Sequence, residues 1–259
     1  MHKSNLMLHC GANKVEREQL AIVPTPARTN TWVPLPHHKM LDGVMESIAA
    51  NHMTVVSEAH GLTRDGNRYF GLLQVANGHN ADDFGLVIGL RNSHDKSFPA
   101  GLVIGASVFV CDNLSFSGEV RLARKHTVHV ERDLPQLIAK AVGQLVDLRH
   151  TQTERFATYK QTELTDAQAH DFLIRAVDAQ VVPITRVPDV LEEWRHPRHE
   201  EFKQGLTAWR LFNAFTEALK GNLDLLAKRT QALHGLMDGS CGLLLPSAEK
   251  KEIALVQAA

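Results

Sequence analysis

The chain has 259 residues, of which 44% are hydrophobic and 22% charged, and its formal net charge is -1 at pH 7. These values are typical of a globular protein with a full core and exclude a low-complexity chain. Because the net charge is close to zero, binding to nucleic acid would need a local basic patch. The three cysteines are far apart and predict no disulfide framework, and no apolar run reaches the ~18 residues of a membrane helix. We therefore expect a cytoplasmic protein with no membrane partner.

The first 38 residues are predicted to form an irregular N-terminal arm. Four prolines interrupt any regular element there, namely Pro24, Pro26, Pro34 and Pro36. Trp32 and Val33 are the apolar residues expected to anchor the arm. The arm can pack either on its own domain or on a neighbouring subunit.

Residues 39–130 are predicted to form a helix followed by an antiparallel sheet. Apolar side chains in residues 39–51 follow helical spacing, and residues 54–59 and 69–76 are strands joined by a turn at Asp65-Gly66. Two β-branched runs, at residues 84–90 and 101–110, complete a meander of about four strands. Residues 120–130 are the candidate for a fifth.

After Asp133 the apolar side chains recur at the spacing of a helix rather than that of a strand. One long helix is predicted to run to residue 160, with Asp133 as its N-terminal cap. This helix is expected to pack against the sheet. A capping box at Thr165 and Gln168 opens another helix. Two more helices are predicted, at residues 207–217 and 223–237. Residues 181–200 contain three prolines and are predicted to form a connection with one turn.

These elements predict an α+β fold, because strands and helices occupy separate parts of the chain. The predicted organisation is an irregular arm (1–38), an α+β core with sheet and long helix (39–160), a helical part packed on that core (161–237) and a mobile tail (238–259).

The connection between the runs at 84–90 and 101–110 is unusually polar. It consists of Arg91, Asn92, Ser93, His94, Asp95, Lys96 and Ser97. A turn needs only one or two residues such as Gly, Asn or Asp, so this density predicts a functional surface.

No complete catalytic or cofactor-binding motif is present, neither a phosphate loop nor a nucleophile elbow nor a paired C-x-x-C. His94, Asp95, Cys111 and His126 have suitable metal-ligand side chains, and a folded meander can bring some of them together. A metal-dependent hydrolase or nuclease using these four residues is therefore an alternative. Because their spacing is not diagnostic, we predict no metal and no cofactor, and the balance is against an enzyme.

Basic residues cluster in the predicted last strand, at Arg121, Arg124 and Lys125. Together with Arg91 and Lys96 of the polar connection, they can line a groove that follows phosphates. The alternative is a strand whose charges only face water. The groove interpretation predicts binding of single-stranded DNA by a homo-oligomer, in which neighbouring subunits cover the edge strands of the sheet.

Four motifs resemble one protein family. They are an N-S-H-D-x-S element on residues 92–97, a strand ending in Cys111-Asp112-Asn113, the Lys125-His126-Thr127 element, and a helix pattern on residues 207–217. The chain resembles the uncharacterised phage/plasmid-like proteins, a domain of unknown function found in plasmids, prophages and integrative elements. It departs from them at Lys96, where members often carry Gly, and it lacks their Asp-His pair after the last pattern.

The resemblance implies a mobile-element context but no defined activity. Within that context we expect a DNA-associated protein acting in annealing or recombination. Its order of helix, antiparallel strands and long helix is similar to that of ring-forming single-strand annealing proteins, which is a likeness of fold alone. An anti-defence interaction protein is a third hypothesis.

Overall fold

The computed structural model describes residues 12–76, 84–108, 113–115, 121–220 and 223–243. Within them the chain forms an antiparallel sheet followed by helices, which confirms the predicted α+β class. The strands are β1 (Asn13–Val15), β2 (Thr54–Leu62), β3 (Arg68–Ala76), β4 (Phe84–Ser93), β5 (Ala100–Val108), β6 (Asn113–Ser115) and β7 (Arg121–Arg124). The helices are α1 (Arg17–Ile22), α2 (His37–Ala50), α3 (Val130–Gly143), α4 (Leu145–Gln161), α5 (Asp166–Asp178), α6 (Val187–Arg195), α7 (Ala208–Ala218) and α8 (Leu223–Ser240).

Among the described residues the sheet has seven strands in the order β1-β2-β3-β4-β5-β6, with β7 also paired to β5, and every pairing is antiparallel. Its four long strands, β2 to β5, are the predicted meander. The predicted Asp65-Gly66 turn joins β2 to β3, and Gly66 has a φ of 69°, which glycine adopts without strain. The predicted fifth strand is shorter than expected, because β7 ends at Arg124.

Successive side chains alternate between the two faces of this sheet. One face, which we call the helix face, carries Asn92 and Leu122 and is covered by α2 and α3. The other, which we call the groove face, carries Arg91 and Val103, and residues of α8 lie against it. Both faces of β4 are buried along most of its length.

The predicted helix of residues 133–160 is two helices. The first, α3, begins at Val130 rather than Asp133 and ends at Gly143, and α4 begins after Gln144. Glycine has a poor helix propensity, and the amide of Gln144 donates to Ala141 in a tightened last turn. Asp133 does not cap the helix, because its carboxylate accepts hydrogen bonds from Arg124 and Arg132, both at 2.7 Å.

The ends of the chain also differ from prediction. The described part of the first 38 residues includes β1 and α1, and the irregular stretch between α1 and α2 is residues 23–36, which we call the proline arm. Residues 181–200 contain the nine-residue helix α6 rather than one turn. The last helix, α8, continues to Ser240, whereas the remaining tail residues 244–259 lie outside the described part.

The predicted capping box of α5 is confirmed, and α7 has a cap that was not predicted. Thr165 and Gln168 form the capping box of α5, and the Thr207 hydroxyl accepts from the amide of Arg210 at the start of α7. No helix in the described part of the chain is long and apolar enough to cross a membrane.

Candidate functional site

Buried polar side chains fasten the proline arm to the end of β4. The Asn92 amide donates to the carbonyl oxygen of Leu35 at 2.7 Å and lies 2.9 Å from Nδ1 of His37, the first residue of α2. His94 donates through Nε2 to the same Leu35 oxygen at 2.9 Å. The arm therefore packs on its own domain, which is the first of the two positions expected from the sequence.

Three imidazoles gather at this junction. The rings of His37 and His94 are stacked, with centroids 3.9 Å apart and planes inclined by 7°. His126, which follows β7, lies parallel to the ring of Trp32 at 6.3 Å, and its carbonyl oxygen accepts from the amide of Val33 at 3.0 Å. We call His37, His94, His126 and Asn92 the histidine junction.

Burial keeps two of these imidazoles neutral. Burial, together with the proximity of His94, lowers the pKa of His37 and of His126 to about 4. Nε2 of His37 lies 3.0 Å from the Gly66 carbonyl oxygen, so we assign the proton to Nε2 and let Nδ1 accept from the Asn92 amide. Neither ring nitrogen of His126 has a hydrogen-bond partner within the described residues.

The junction does not have the geometry of a metal site. Metal-bound imidazoles direct one nitrogen each to a common point about 2.1 Å away, whereas His37 and His94 lie face to face and bind separate carbonyl oxygens. No group of three or more possible metal ligands exists among the described residues. Asp95 instead binds Arg68 at 2.7 Å, and Cys111 lies outside the described residues.

Ser93 and Asp95 hold the loop of residues 94–99 in shape. The Ser93 hydroxyl donates to the carbonyl oxygen of Phe98 at 2.7 Å, and Asp95 accepts from the amide of Ser97 at 3.0 Å. These two motif residues thus have structural contacts within the hairpin. The backbone of Asn113, another motif residue, lies in β6.

A small groove crosses the other side of the sheet. It has a volume of about 110 Å³, and we call it the basic groove. Its charged lining comes from three elements, namely Arg91 of β4, Arg121 of β7 and Lys228 of α8. Phe70 and Gly101 also line it, and the ring of Phe70 is 5.6 Å from that of Phe98.

The position of Arg91 depends on the glycine beside it. A Cβ on Gly101 would lie 3.1 Å from Nε and 3.2 Å from Cγ of Arg91, so the missing side chain makes room for the arginine. Its guanidinium lies over the ring of Phe98, 5.3 Å from the centroid. The groove thus combines cationic side chains with an apolar, aromatic wall.

The five basic residues predicted to line one surface are divided among four places. Arg91 and Arg121 line the basic groove, and Lys96 covers the ring of Trp32 on the proline arm at 4.9 Å. Arg124 is buried on the helix face and ion-paired with Asp133, so it leaves the proposed surface. Lys125 is exposed beyond the end of β7.

Two residues of these sites were not identified from the sequence. His37 lies 55 positions before Asn92, and Lys228 comes from a helix more than a hundred residues after β4. No local pattern links either residue to the hairpin, because the contacts arise from long-range packing.

A protein-family model described as Domain of unknown function (DUF932) matches residues 26–234, from the proline arm to α8. No curated protein and no solved structure matches the chain.

Proposed function

The chain belongs to the family described as Domain of unknown function (DUF932), and we propose that it binds single-stranded nucleic acid through the basic groove. The observation that carries the proposal is the convergence of Arg91, Arg121 and Lys228 around one narrow, partly aromatic depression. Cations that neutralise phosphates, next to rings on which bases stack, are the two elements of single-strand recognition.

The size of the groove favours a single strand over a duplex. A volume of about 110 Å³ accommodates one small planar group rather than the edge of a double helix. Proteins that read duplex DNA instead insert a helix or a β-ribbon into its major groove. A groove with Phe70 in its wall suits an unpaired base, with the cations positioned for the flanking phosphates.

We further propose that several copies act together. Within the described residues, β1 pairs with the outer edge of β2 only from His60 to Leu62, so this pairing covers only the last three residues of that edge. An open edge can pair with a second copy of the chain. Repeating the groove along a ring or filament would turn three cations per subunit into a continuous track.

The proposed setting is the cytoplasmic DNA metabolism of a plasmid, prophage or integrative element. Annealing or recombination is the reaction class in which a sequence-tolerant single-strand binder takes part. This setting comes from the resemblance of the chain motifs to phage/plasmid-like proteins, whereas the binding proposal comes from the groove.

The test is the salt dependence of binding to a fluorescent oligothymidylate of about 20 nucleotides, measured by anisotropy. Three phosphate contacts predict a slope of about -2 for log K against log salt, so affinity should fall about 20-fold between about 50 and 200 mM salt. Arg91→Gln with Arg121→Gln keeps the aliphatic stems and removes two charges, and should reduce the slope to about -0.7.

The matched control is Lys140→Gln with Lys203→Gln, two exposed lysines on α3 and after α6. This variant has the same change in net charge and should bind like the wild type. If it weakens binding as much as the groove variant, attraction is by net charge and the groove is not the site. Absence of binding at low salt would refute the proposal, and light scattering of the same samples tests the oligomer.

A further inference from the structure

Trp32 differs from the other tryptophans of the chain in its exposure. Trp194 and Trp209 are buried in the helical part, at 0% and 8% exposure, whereas Trp32 is partly exposed on the proline arm. A large ring at the surface of an irregular segment requires a reason, since burying it would be favourable.

The arm holds Trp32 in a fixed position. The amide of Thr29 donates to the Trp32 carbonyl oxygen at 2.9 Å, and the Trp32 amide donates to the Thr29 hydroxyl at 3.1 Å. The next residue, Val33, is buried and bonded to His126. The indole therefore has a rigid base, which limits the entropy lost when a ligand binds to it.

An exposed cation covers the ring of Trp32. The ammonium of Lys96 lies 4.9 Å from the ring centroid, and Lys96 itself is exposed at the tip of the 94–99 loop. An exposed cation–π contact is worth only about two- to five-fold in an equilibrium constant, whereas stacking of a base on an aromatic ring is worth about 5- to 150-fold. A base can therefore displace the ammonium with a net gain.

The same loop joins this ring to the basic groove. Lys96 covers Trp32 on one side of the hairpin, and Phe98, two residues later, contacts Arg91 and Phe70 on the other. Lys125, next to His126, adds an exposed cation near the arm. A strand that leaves the groove across the loop meets these cations and the indole in succession.

We propose that Trp32 is a stacking site for an unpaired nucleobase, and that Lys96 moves from the ring to an adjacent phosphate when the base binds. This inference depends on the proposed binding of single-stranded nucleic acid and adds a second contact to it. The ligand class is a single strand long enough to reach from the basic groove to the arm.

The test is a titration of the wild-type protein with oligothymidylate, followed by both intrinsic fluorescence and anisotropy. Stacking on Trp32 should quench tryptophan emission, because the other two indoles are buried. An oligonucleotide of abasic residues keeps the phosphates and lacks bases, so it should bind more weakly and leave the emission unchanged.

Two substitutions complete the test. Trp32→Leu keeps an apolar side chain without a π-face and should weaken binding about 5- to 150-fold, whereas Trp32→Phe should retain part of the affinity and lose the quench. Melting temperatures show whether either variant disturbs the arm, and the abasic comparison needs no variant. If the wild type binds without quenching and Trp32→Leu binds equally well, the stacking site is refuted while the groove proposal stands. If nothing binds, both fail.

Discussion

Replacing His126 by Phe should make the protein less sensitive to acid. In the folded protein, burial and the nearby His94 lower the pKa of His126 to about 4, whereas an unfolded chain has the ordinary histidine value of 6.5. The folded state therefore binds fewer protons in this interval. The stability that depends on neutral His126 is complete above about pH 6.5 and is lost as the pH falls towards 4.

The size of the effect follows from the two pKa values. Between pH 7 and pH 5, a shift from 6.5 to about 4 removes about 2 kcal/mol from the free energy of unfolding. His37 contributes in the same direction, so the wild type should lose more than this amount. Phenylalanine cannot be protonated, and it sacrifices no hydrogen bond, because neither nitrogen of His126 has a partner in the described part of the chain.

Urea unfolding at pH 7 and pH 5 measures the effect directly. His126→Phe should be as stable as the wild type at pH 7 and about 2 kcal/mol more stable at pH 5, or about 4–8 °C in melting temperature. Leu134→Met, which changes a buried side chain of α3 without removing a titratable group, should parallel the wild type. Equal losses for wild type and His126→Phe between the two pH values would refute the assignment of a neutral, buried His126.

Two glycines give further predictions. A Cβ on Gly71 would lie 2.4 Å from the hydroxyl oxygen of buried Tyr69, which is hydrogen-bonded to His60. Gly71→Ala should therefore lower the stability measured by thermal unfolding by about 1–3 kcal/mol. In the control Gly143→Ala the new Cβ meets no atom within 4 Å, so this variant should not destabilise the protein. Gly101→Ala should push Arg91 from its place and weaken oligonucleotide binding with little change in melting temperature. Unchanged affinity for Gly101→Ala would show that the position of Arg91 does not matter for binding.

Most of the fold could be predicted because its signals are local. Apolar, β-branched runs and the Asp65-Gly66 turn define β2 to β5, and helix caps such as Thr165 define the later helices. The break between α3 and α4 escaped prediction because the apolar spacing continues across it. Ile138 before the break and Leu145 after it are both buried, as one uninterrupted helix would require.

The site could be predicted only where neighbouring residues define it. The polar hairpin was identified, but its contacts with the proline arm, His37 and α8 come from distant segments. The sequence alone could have shown that Arg121 and Arg124 lie on opposite faces of the sheet, because residues three apart on a strand face opposite sides. Arg121 accordingly faces the groove, and Arg124 faces α3, where Asp133 neutralises it.

The chemistry of the histidine junction explains why the hairpin is so polar. General acid–base catalysis at neutral pH uses a group whose pKa is close to the working pH, whereas burial lowers the pKa of His37 and His126 to about 4. Both nitrogens of His37 are occupied, by Gly66 and Asn92, and cannot exchange a proton without breaking a contact. These side chains therefore fasten the arm to the sheet. That attachment also holds Trp32 beneath Lys96, so under the proposal above the polar residues of the hairpin support the binding surface.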